Sequence, residues 1–163
     1  MLAQPPQALP ILSRSLLLAL AVLVLAAPLS SARVVAQDVR LSGLAGEQLG
    51  DAEMAHGTTI VVVWASWSPR SRDIVERVRV LVSHWGAKAR VVTLDFEEDR
   101  QTIQAFLAGK SPGAPIFLDA DGAFSKKYAI ATLPGLLVIK DGKSTYHGKL
   151  PDDPDRVISE AIR

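Results

Sequence analysis

A chain of 163 residues is about one domain's worth of sequence, and 48% hydrophobic with 21% charged residues excludes a disordered chain. Lys and Arg number 18 against 17 Asp and Glu, a net charge of +1 that gives no basic surplus for holding a nucleic-acid backbone. Cysteine is absent, which excludes disulfides, thiol nucleophiles, thiolate metal sites and a lipidated cysteine.

The chain opens on a polar, proline-bearing stretch carrying Arg14, followed by an apolar run from Leu16 to Leu29. As a helix that run reaches about 21 Å, short of the roughly 30 Å hydrocarbon core of a bilayer. Small side chains follow at Ser30, Ser31 and Ala32 and again around Ala36. A positive start, a short apolar middle and a small-residue exit predict a secretory signal over residues 1–36, cut near Ala36 in preference to Ala32. An uncleaved membrane anchor is the alternative. Removing the leader takes away Arg14 and Arg33 and leaves residues 37–163 with a charge of −1. An exported domain of this size often carries a disulfide; this one must rely on its core.

Within 37–163 the Gly-rich stretch from Gly43 to Gly57 predicts a hairpin plus a short turn. Thr58 to Ala65 (TTIVVVWA) is β-branched and aromatic without alternation, the pattern of a strand buried on both faces. Ser68 and Pro69 read as the N-cap and first residue of a helix. Along that helix Ile74, Val75, Val78, Leu81, Val82 and Trp85 share one face up to Gly86, while Arg70, Arg72, Asp73, Glu76, Arg77 and Arg79 lie on the wet side. Arg90 to Phe96 predicts a second buried strand. Asp99 caps a helix through Ile103, Phe106 and Leu107 that stops at Gly109. Ala114 to Leu118 reads as a short strand, followed by the turn Asp121-Gly122 and a helical turn through Tyr128. Asp141-Gly142 between Leu136–Ile139 and Ser144–Gly148 is a strong hairpin signal. Asp153 and Pro154 open a last helix carrying Val157, Ile158, Ala161 and Ile162. This β-α-β-α order, closed by a hairpin and a helix, predicts an α/β fold with a mixed sheet and helices on both faces.

The run Trp64-Ala65-Ser66-Trp67-Ser68-Pro69-Arg70-Ser71 resembles the active-site segment of the thioredoxin superfamily, in particular its exported TlpA/ResA-like branch, which reads W-A-S-W-C-P-x-C at a strand-to-helix junction. The resemblance extends over most of 37–163. It includes the insert around Pro115 to Tyr128 and Leu133-Pro134 ahead of the hairpin. It implies a thioredoxin-like three-layer α/β/α sandwich around a central mixed sheet, a cis peptide before Pro134, and a periplasmic or envelope location.

The departures decide the chemistry. The two cysteine positions are Ser68 and Ser71. The family's proton-handling acids, two residues before the first Trp and three after the second Cys, fall on Val62 and Ile74. Asp73 is adjacent to the second but off the Ile74 face. Disulfide exchange needs a thiolate attacking sulfur, and a serine hydroxyl has no such couple. The resemblance therefore implies a redox-inactive domain and no catalytic residue.

Ser68 as an acyl-transfer nucleophile would need a base and an orienting partner. His84 lies about four helical turns beyond Ser71, His56 precedes the central strand and His147 sits in the hairpin, so none is placed to serve. Three scattered histidines call for no metal, and nothing calls for a cofactor. What the resemblance leaves is a groove for an extended peptide, made here of Trp67, Ser68, Pro69, Arg70, Leu133 and Pro134. Trp67 at a loop tip reads as a partner-facing anchor. The expected partner is a protein or peptide, with no nucleic acid. Two alternatives stand beside it: a structural subunit of an envelope complex with a vestigial groove, and an activity borrowing the thiol of glutathione.

Overall fold

A computed structural model describes residues 38–163; the leader expected over 1–36 and its cleavage site lie outside them. The elements in chain order are β1 (Leu41–Gly43), β2 (Gln48–Leu49), β3 (Thr58–Trp64), α1 (Ile74–Trp85), β4 (Arg90–Phe96), α2 (Arg100–Leu107), β5 (Ile116–Asp119), α3 (Ala123–Lys127), β6 (Gly135–Lys140), β7 (Lys143–Lys149) and α4 (Pro154–Ala161). The seven strands form one mixed sheet in the order β2-β1-β5-β4-β3-β6-β7. Strand β3 pairs parallel with β4 and antiparallel with β6, and β4 pairs parallel with β5. The apolar run at 60–64 lies at the centre because every one of its side chains is covered, on alternating faces.

Two cores result. On one face Ile60, Val62 and Trp64 pack with Ile74, Val78, Leu81 and Trp85 of α1, Ile103 and Leu107 of α2, and Ile158 of α4. On the other, Val61 and Val63 pack with Val92, Leu94, Leu137 and Ile139 beneath Met54 and Phe124 of α3. Three helices thus cover one face, and a short helix with the turn around Met54 covers the other. Among the described residues no helix is long and apolar enough to cross a membrane.

Local signals account for most element ends. Asp99 accepts the Thr102 N–H at 2.7 Å and caps α2, and Asp153 accepts the Arg156 N–H at the start of α4. Buried Asp119 accepts the N–H groups of Phe124 and Ser125 at 3.0 and 2.9 Å and so satisfies α3, a cap that the sequence reading did not pick out.

The start of α1 departs from expectation. Pro69–Ser71 is a turn of 3-10 helix, α1 begins only at Ile74, and Ser68 makes no side-chain cap bond. The serine hydroxyl faces the Leu133 carbonyl instead, at a long 3.5 Å. Arg70 and Arg72 therefore precede α1 rather than occupying its first turn. Gly86 also ends α1 without using its conformational freedom, since its φ of −57° is ordinary helical backbone.

Candidate functional site

The loop after β3 is built by two backbone bonds. The Ser68 N–H donates to the Ala65 carbonyl at 3.1 Å, and the Ser71 N–H donates to the Ser68 carbonyl at 2.9 Å. These turn the chain sharply at the end of the central strand and leave Trp67 outside, 61% exposed, while Ser68 and Ser71 are buried. Trp64 is different: it packs in the core with its ring 5.2 Å from that of Phe106.

Across from this loop the Leu133–Pro134 peptide is cis. Gly135 lets that segment fold close, because a β-carbon there would lie 2.8 Å from the Ile130 side chain and 2.9 Å from the Thr132 carbonyl. The two loops enclose a cleft of about 280 Å³ lined by Trp67, Ser68, Phe96, Ile130, Ala131, Thr132 and Leu133. Of the six groove residues named from sequence, Trp67, Ser68 and Leu133 line this cleft. Pro69, Arg70 and Pro134 do not, although the first two belong to the adjoining turn and Pro134 is buried behind Leu133. Phe96 and Ile130–Thr132 were missed. Phe96 ends a strand that reads simply as core, and the loop residues carry no signal beyond their place ahead of Leu133-Pro134.

The apolar replacements are complete. Val62 and Ile74 are both buried in the α1-side core. An acid nonetheless lies close by, on the neighbouring strand. Asp95 pairs in register with Trp64, two register pairs on from the Val62–Thr93 pair, and is fully buried with neither carboxylate oxygen hydrogen-bonded among the described residues. Burial, reinforced by the nearby Glu98 carboxylate, pushes Asp95 up to about 8. Glu98 in turn holds the loop: it accepts the Ser66 N–H at 2.5 Å and the Ser66 hydroxyl. The sequence signal for this pair was one aspartate inside the otherwise apolar end of β4.

Ser71 is buried with its hydroxyl unpartnered among the described residues. The histidines stand apart from both serines in the fold. His84 Nδ1 lies 2.6 Å from Asp155 at the far end of α1, His56 is in the turn before β3 and His147 is exposed on β7. No group of three or more His, Asp and Glu side chains that could hold a metal occurs among the described residues.

The fold built around central β3, parallel β4 and antiparallel β6 has counterparts among solved structures. A secreted disulfide oxidoreductase of Mycobacterium tuberculosis, homologous to E. coli DsbE, superposes with a TM-score of 0.62 over 76% of this chain and 94% of its own at 16% identity. An exposed lipoprotein thioredoxin of Streptococcus pneumoniae gives 0.66 over 77% and 98% at 17% identity. StoA of Bacillus subtilis gives 0.63 over 77% and 96% at 20% identity. The fold is thioredoxin-like. In sequence, this thioredoxin-like chain is 27% identical to the thioredoxin of Bacillus subtilis (strain 168) over 99 residues, 61% of this chain and 74% of that protein. No protein-family model matches it. The thioredoxin-like scaffold is complete, and serine occupies both positions where the resemblance places sulfur.

Proposed function

We propose that this is a redox-inactive, exported thioredoxin-like domain of the TlpA type that binds a protein or peptide through the groove between the Trp67 loop and the cis-proline loop. The supporting observation is Trp67 itself. A large aromatic side chain held 61% exposed beside an apolar cleft gains nothing for folding, and such residues anchor interfaces. Export is supported by the leader pattern in the sequence and by the secreted and exposed proteins that share the fold. Loss of disulfide exchange is supported by chemistry: with no sulfur in any cysteine, the chain has nothing to form a mixed disulfide.

A photo-cross-linking residue placed at position 67 in intact cells tests the groove. Partners captured from position 67 and not from exposed Lys143, on the β7 edge, are the expected result. Equal capture from both positions removes the groove assignment.

A structural role in an envelope complex is the second reading, and one observation favours it: Val80, on the outer side of α1, is 46% exposed. On that reading Val80→Asp abolishes complex formation and Trp67→Ala leaves it intact.

A further inference from the structure

The turn Pro69–Ser71 separates two clefts of unlike chemistry. On one side lies the apolar cleft of Trp67, Phe96, Ile130 and Leu133. On the other, a cleft of about 270 Å³ runs between α1 and α2, with Val75 and Phe106 in its lining and Arg72, Arg79 and Lys110 among its charges. Its acids are Asp73 and Glu76, and Glu76 is engaged by Arg79 at 3.0 Å. Arg79 also donates to the Ser111 carbonyl at 2.8 Å. Arg70, Arg72 and Lys110 are exposed and have no ion pair among the described residues. Arg72 and Lys110 therefore share the α1–α2 cleft with one acid outside an ion pair, Asp73, and Arg70 adds a third unpaired cation on the turn between the clefts. Exposed Glu97 follows Phe96 in the chain, and its carboxylate lies beside Gly122 rather than in either cleft.

We propose, presupposing groove binding, that the segment bound is an extended acidic peptide. One aliphatic or aromatic side chain of the peptide sits against Trp67 in the first cleft, and carboxylates beside it cross the turn to lie over Arg70, Arg72 and Lys110. A peptide suits the shape better than a bilayer surface, since a flat surface cannot enter two concavities on either side of a turn.

The test is fluorescence anisotropy of the full-length chain, held in a neutral detergent, with two labelled synthetic peptides. One carries a leucine-phenylalanine pair followed by glutamates; the other has glutamines in place of the glutamates. Exposed ion pairs are individually weak, so three of them favour the glutamate peptide by about tenfold at low salt. That preference shrinks as salt rises and the charges are screened. The double variant Arg72→Glu with Lys110→Glu, shown to be folded by circular dichroism, brings the ratio to about one or below it. Equal affinity for both peptides, with Trp67→Ala weakening each, overturns the acidic preference and leaves groove binding standing. Binding of neither peptide, or binding indifferent to Trp67→Ala, overturns both.

Discussion

Asp95 is the residue whose energetics are least like its neighbours'. Its carboxyl is fully buried and raised from an ordinary value near 3.8 to about 8 by burial first and Glu98 second. The unfolded chain ionises this group near 3.8, whereas the folded chain keeps it protonated until about pH 8. Its contribution to stability is therefore full below the lower value and is lost as pH rises towards the upper one. Asp95→Asn removes the ionisation. Urea denaturation at pH 5 and pH 8 is expected to show the parent losing stability across that interval and the Asn variant losing much less. Equal slopes for the two proteins contradict the assignment. Trp67 is the opposite case. Because it is largely exposed, Trp67→Ala is expected to change unfolding free energy by less than about 0.5 kcal/mol while weakening partner binding, so stability and binding separate at one side chain.

At the scale of elements, α4 is joined to the end of α1 by a single carboxylate. Asp155 accepts the Trp85 indole N–H at 2.7 Å and lies 2.6 Å from His84 Nδ1. It also stands in the first turn of α4, where negative charge is favoured. Asp155→Ala is expected to cost about 1–2 kcal/mol in chemical denaturation, chiefly by stranding the partly buried indole donor; an unchanged midpoint contradicts this. The strands β3 and β4 and the helix face of α1 were legible because burial on both faces of a strand and on one stripe of a helix leaves a direct periodic trace. The entry to α1 was not. Ser68-Pro69 has the chemistry of a cap, but the loop turns on backbone bonds and the serine faces the opposing loop, which is a long-range effect with no local signature. Likewise β1 begins at Leu41, before the Gly-rich stretch, because its pairing with β5 is set by residues more than seventy positions away. The candidate site was readable as far as its motif residues went. Phe96, Ile130 and the Asp95–Glu98 pair were not, because sheet register brings Phe96 and Asp95 to the loop, while Glu98 and Ile130 arrive on connecting segments with no local signature.

Across the whole molecule, a thioredoxin-like scaffold is present and cysteine is absent. Serine stands at both sulfur positions, and apolar side chains fill both acid positions as ordinary core. If the frame is intact, restoring sulfur alone restores the bond: Ser68→Cys with Ser71→Cys is expected to form an intramolecular disulfide, read by mass spectrometry after alkylation with and without reductant. Two alkylated thiols that resist oxidation contradict an intact frame. Absence of thiol relay in the parent chain is read from insulin reduction by dithiothreitol. The purified protein, with no cysteine to relay electrons, is expected to leave the rate equal to that of buffer alone. A reproducible, concentration-dependent acceleration contradicts it.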